Sequence, residues 1–93
     1  MIFKITATGT GTTPDNQVIT LSDGIWNIFL YSATWGSATL EVSNDSEWFT
    51  VTEAGETVTF TANTVKEING GLTLRLNVSA YTADIVAIVK KVI

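Results

Sequence analysis

The sequence predicts an all-β domain, and three observations predict it. β-Branched residues dominate: there are sixteen threonines among 93 residues, with Val and Ile abundant and a single proline. Such side chains lose χ1 freedom in a helix and pack well on a pleated surface. Apolar and polar residues alternate with a period of two, most cleanly in Leu72-Thr73-Leu74-Arg75-Leu76-Asn77-Val78-Ser79. Short runs of this kind are separated, about every ten residues, by Gly, Asn and Asp turn signals. A single antiparallel β-sandwich or jelly-roll-like domain of about eight or nine short strands over residues 1–93 follows. A closed barrel is the alternative, because spacing does not show whether a sheet splits or closes.

Residues 2–8 begin with Ile2, Phe3 and Ile5 and then turn polar, as a strand leaving a core does. Residues 9–16, GTGTTPDN, read as the longest irregular segment and a flexible one, with an exposed tip at Pro14-Asp15-Asn16. Residues 17–21 form a short strand, and Ser22-Asp23-Gly24 after it reads as a two-residue hairpin. In the strand 25–32, Trp26, Ile28 and Leu30 share one face while Ile25, Phe29 and Tyr31 share the other. A strand apolar on both faces is either central with its outer face covered or lies at a subunit contact.

Ala33-Thr34-Trp35-Gly36 turns the chain into 37–43, with Ala38, Leu40 and Val42 inward and Thr39, Glu41 and Ser43 outward. Asn44-Asp45-Ser46 is the next turn, 47–52 carries Trp48 on one face and Phe49 and Val51 on the other, and Ala54-Gly55 turns again. Residues 56–62 alternate Val58 and Phe60 against Thr57, Thr59 and Thr61 and read as a strand. Residues 65–68 form another, and Asn69-Gly70-Gly71 reads as a type I′ hairpin into 72–79. The last stretch, DIVAIVKKVI, fits helical spacing as well. Six of its seven apolar residues are Val or Ile, so a strand is expected there, again apolar on both faces.

The chain has no cysteine and no histidine, which removes disulfides, thiolate nucleophiles, Cys/His zinc sites and imidazole bases. A net charge of −4, with five cations of which only Lys90 and Lys91 are adjacent, argues against a nucleic-acid partner. No apolar run approaches the roughly 20 residues of a membrane helix, and residues 1–8 lack the pattern of a signal peptide. A soluble intracellular protein is expected, without cofactor, metal or catalytic residues. Asp45, Glu47, Glu53 and Glu56 are the nearest thing to a carboxylate pair, but they lie in or beside turns where acidic residues solvate a surface. Ser43 to Glu47 lacks the spacing of a calcium loop.

The aromatic residues are better candidates for contact. Trp26, Trp35 and Trp48 either pack in the core or an interface or offer faces on which sugar rings stack. With Phe29, Tyr31, Val86 and Ile88 from the two-faced strands, they make up the candidate interface or ligand platform. Arg75 is placed to pair with Glu41 or another outer carboxylate, or to reach a partner; an exposed pair contributes about 0–1 kcal/mol.

Ala33-Thr34-Trp35-Gly36, then Ala38 to Ser43, Asp45 and Trp48, and later Leu74 to Ser79, resemble a class of small β-sandwich structural proteins found in tailed-bacteriophage virions. The pattern covers residues 24–92, with Ser46 standing where glycine is expected. The resemblance implies a non-enzymatic virion component, a decoration or cement protein bound to the major capsid protein on the capsid exterior, and it carries over no catalytic residue. A homo-oligomer, a trimer at local three-fold positions, is expected from the two apolar-faced strands. A tail or fibre component and a carbohydrate-binding module are the alternatives.

Overall fold

Alternation becomes visible as burial wherever two strand faces meet. In the computed structural model, which describes residues 1–93, the chain forms eleven strands: β1 (Ile2–Ala7), β2 (Gly11–Thr12), β3 (Ile19–Leu21), β4 (Ile25–Ser32), β5 (Ser37–Ser43), β6 (Trp48–Thr50), β7 (Thr52–Glu53), β8 (Glu56–Thr57), β9 (Thr64–Asn69), β10 (Leu72–Ala80) and β11 (Ile85–Lys91). β1-β11-β4-β9 make a four-stranded antiparallel sheet. The second sheet runs β2-β10-β5-β6, with β3 also paired to β10. The two sheets face each other as a sandwich rather than closing into one barrel.

Between them lies a single core. The first sheet contributes Ile5, Ala7, Trp26, Ile28, Leu30, Ile85, Ala87 and Val89, and the second contributes Leu21, Ala38, Leu40, Leu74, Leu76 and Val78. Each comes from the alternate positions of its strand, and each fully buried Leu, Ile or Val contributes about 1.5–3 kcal/mol of transfer free energy. The final strand is a strand: β11 buries Ile85, Ala87 and Val89 and turns Val86 and Ile88 outward.

The two expected hairpins at Asp23-Gly24 and Gly70-Gly71 are instead crossovers between the sheets. β3 belongs to the second sheet and β4 to the first, while β9 belongs to the first and β10 to the second. The turn chemistry is used, since Gly24 has φ 133° and Gly71 φ 78°, but β4 takes β9 as its neighbour and β10 takes β3, so each connection passes from one sheet to the other. The crossovers lie side by side and are joined by backbone bonds: Gly70 N–H donates to Gly24 C=O at 2.8 Å and Gly71 N–H to Leu21 C=O at 2.9 Å. Trp26 Nε1 donates to Ser22 C=O at 2.9 Å. A Cβ on Gly70 would sit 1.9 Å from that same Ser22 oxygen, so only glycine permits the approach.

Three further expectations are corrected. The 9–16 segment is tied to the second sheet rather than flexible: Gly11 and Thr12 pair with Val78 and Asn77. Just beyond, buried Thr13 donates its N–H to Leu76 C=O at 2.9 Å, and its hydroxyl accepts from Leu76 N–H at 3.3 Å. The stretch 56–62 is strand only at β8 and then a lone bridge between Phe60 and Ala38, although Phe60 is buried and Val58 packs on the core as the alternation requires. The one local hairpin in this region is β7-β8, where Ala54 at φ 50° and Gly55 at φ 80° supply the two positive-φ turn positions.

Candidate functional site

Residues opposite each other in an antiparallel ladder share a face, so the register assigns both outer surfaces. On the outer face of the first sheet one row across the strands is Lys4, Ile88, Phe29 and Val65. The row beside it is Ile2, Lys90, Asn27 and Glu67, and on the other side lie Thr6, Val86 and Tyr31. Phe29 is 37% exposed, Tyr31 45%, Val65 57% and Ile2 62%. Four of the predicted contact residues, Phe29, Tyr31, Val86 and Ile88, therefore meet in one patch because β4 and β11 are neighbours. Nothing within the chain covers it. Val65, Ile2, Lys4, Lys90 and Glu67 complete this face, and sequence reading did not place them there. The alternation of outward Val65 and Glu67 with inward Lys66 and Ile68 in β9 is a signal, but the adjacency of β9 to β4 is not written in it.

The outer face of the second sheet is polar. Thr73, Arg75 and Asn77 of β10 lie beside Ser43, Glu41 and Thr39 of β5, and β6 sets Trp48 beside Ser43. Arg75 Nε donates to Glu41 Oε1 at 2.7 Å, its Nη2 lies 2.7 Å from the same oxygen as an ion pair, and Asn77 Nδ2 donates to Glu41 Oε2 at 2.9 Å. The Arg75 guanidinium carbon lies 3.9 Å from the centroid of the Trp48 ring. Glu41 and Ser43 point outward as predicted, yet both are buried, since Glu41 is covered by the groups it binds. The Arg75–Glu41 pair is thus shielded, not an exposed surface pair, and the weak-pair figure does not apply to it.

The three tryptophans separate. Trp26 has no exposed surface and packs with Phe3 at a centroid distance of 5.9 Å, so it is core and offers no platform to a ligand. Trp35 is half-buried against the core, and its Nε1 donates to Asn63 Oδ1 at 2.8 Å. Gly36 after it lets the chain pass against Ala80, whose carbonyl oxygen would be 1.8 Å from a Cβ there. Trp48 is half-buried with Arg75 stacked on one face. None presents two open faces.

At one end of the second sheet an open cleft of about 470 Å3 is lined by Thr20, Ser22, Asp23, Ser43, Asn44 and Asp45, among others. Its walls are mostly hydroxyls, amides and two carboxylates, with Leu21 and Leu72 as the apolar lining and no aromatic ring for a sugar to stack on. Glu53 and Glu56 face each other across the exposed β7-β8 hairpin, and Glu53 pairs with Lys66. Tyr81 donates its hydroxyl to Asp84 Oδ1 at 2.6 Å, and that bond raises the phenol pKa above its ordinary value of 10.0. Comparison with protein-family models, with curated proteins and with solved structures yields no match.

Proposed function

We propose that this protein is a non-enzymatic structural component of a bacteriophage particle, a decoration protein that binds the capsid exterior and stabilises the shell by burying the outer face of its four-stranded sheet. The observation that carries the reading is the apolar patch of Phe29, Tyr31, Val65, Val86 and Ile88 on a small acidic domain. A patch of this kind on a soluble domain marks a surface to be covered. Cementing works by linkage: contact area present only in the intact particle shifts the balance toward it. The resemblance at Ala33 to Ser43 and Leu74 to Ser79 supports placing that surface in a virion. Sugar binding through tryptophan is less favoured, because Trp26 is buried, Trp35 is bonded to Asn63 and Trp48 is stacked by Arg75.

The test is the copy number of the protein in purified particles of the phage that encodes it, by quantitative mass spectrometry against the major capsid protein. Copies in the hundreds, in simple ratio to the capsid subunit, are expected. A dozen or fewer would move the protein to the tail or fibre, and absence would overturn the virion reading.

A further inference from the structure

The outer face of the four-stranded sheet is apolar along its middle and charged unevenly at its sides. Its cations, Lys4 on β1 and Lys90 on β11, lie on one half, and its anion, Glu67 on the edge strand β9, lies on the other. None of the three has an ion-pair partner within the chain. This arrangement is complementary to itself. If a second copy is turned over about a two-fold axis that lies in the contact plane, parallel to the strands and between β4 and β11, β1 covers β9 of that copy and β11 covers its β4. Phe29 then meets Ile88 of the second copy. Glu67 of the second copy arrives above Ile2, one strand from Lys90 and one row from Lys4. The other in-plane two-fold, across the strands, lays β1 on β1 and β11 on β11 and brings the lysines toward their own counterparts.

We infer that the chain pairs with a second copy of itself through this face, about the strand-parallel two-fold, with Phe29 and Ile88 packed at the centre and Glu67 between Lys4 and Lys90 at both flanks. The inference rests on the reading of this face as the contact surface, which the second copy covers in the free protein and the shell covers in the particle. Aligned stacking of two twisted sheets is a standard packing, with strands within about 30° of each other. Four strands at about 4.8 Å and six residues at about 3.4 Å give a face near 19 by 20 Å, so the facing footprints of the pair total roughly 800 Å2. That is below the range of stable specific interfaces, and it describes a weak, concentration-dependent dimer rather than an obligate one. A three-fold ring needs two different patches on each chain. Here the outer faces of β4 and β11 merge into one, which suits a two-fold.

Sedimentation equilibrium of the full chain over micromolar to millimolar concentration tests this. The expected result is a monomer–dimer equilibrium weakened by salt, weakened at least tenfold by Glu67→Lys, and restored by combining Glu67→Lys with Lys4→Glu and Lys90→Glu. Phe29→Asp should give a monomer with an unchanged circular dichroism spectrum, since Phe29 is outside the core. A wild-type monomer at millimolar concentration, a trimer, or a dimer indifferent to Glu67→Lys overturns the inference. Incorporation of Phe29→Asp into particles separates it from the broader reading. If the wild type is monomeric and Phe29→Asp is lost from particles, the contact surface stands and the second copy is wrong; if Phe29→Asp is incorporated undiminished, the contact surface itself is wrong.

Discussion

Replacing Arg75 by Met removes the guanidinium while keeping an unbranched stem to cover Trp48. Glu41 then keeps one donor, Asn77 Nδ2 at 2.9 Å, in a place where its side chain is only 11% exposed and that of Arg75 was 21%. Breaking a fully buried pair costs about 3–5 kcal/mol and breaking an exposed one about 0–1 kcal/mol. Exposures of roughly a tenth and a fifth place this pair nearer the first limit, so a loss of about 2–3 kcal/mol is expected, including the lost stacking on Trp48 at about 0.5–1 kcal/mol. For a domain of this size with a urea m-value near 1 kcal/mol/M, the unfolding midpoint should fall by about 2 M, and Tm by about 10–15 °C. Glu41→Gln with Arg75→Met should be more stable than Arg75→Met alone by about 1 kcal/mol or more, because the stranded group is then uncharged. Arg75→Lys should fall between, retaining charge without the fork. Urea unfolding followed by tryptophan fluorescence measures the three variants against the wild type. A loss under about 0.5 kcal/mol for Arg75→Met, or a double variant no better than the single, would refute the shielded-pair argument.

Gly70→Ala should destabilise by about 2–4 kcal/mol, since its Cβ must displace the Ser22 carbonyl and with it the Trp26 Nε1 bond. Gly9→Ala, where nothing lies within 4 Å, is the control and should be neutral or slightly stabilising in the same urea assay. Tyr81, titrated by tyrosinate absorbance, should ionise above 10.0, and Asp84→Asn should lower its midpoint. The sign follows from the neutral phenol being the favoured form. The stability gained from its bond is complete below the unfolded pKa near 10 and disappears as pH rises through the higher folded value.

Half of the candidate surface was legible before any fold was known. Phe29 and Tyr31 stood opposite Trp26, Ile28 and Leu30 in one strand, Val86 and Ile88 opposite Ile85, Ala87 and Val89 in another, and two apolar faces on one strand already asked for a second cover. Lys4, Val65 and Glu67 belong to the same patch only because β1 and β9 flank those strands, and no local pattern encodes a neighbour so far along the chain. Tryptophan is ambiguous in sequence for the same reason. Trp26 occupies an inward position of its strand, and whether such a ring is core or platform depends on what the opposite sheet brings against it.

Strand identity and the inward residues of β4, β5, β10 and β11 were decided locally, because the pleat sends successive side chains to opposite faces and the hydrophobic effect selects which face is covered. Which strands pair, and the sheet to which each belongs, was decided only by the assembled sandwich. Positive φ at Gly24 and Gly71 serves a hairpin and a crossover alike, so turn chemistry does not distinguish them. The pairing of β4 with β9 and of β10 with β3 does. The burial of Glu41 was decided at the same level, since a carboxylate on an outward position is hidden only when Arg75 and Asn77 from a strand 34 and 36 residues away close over it.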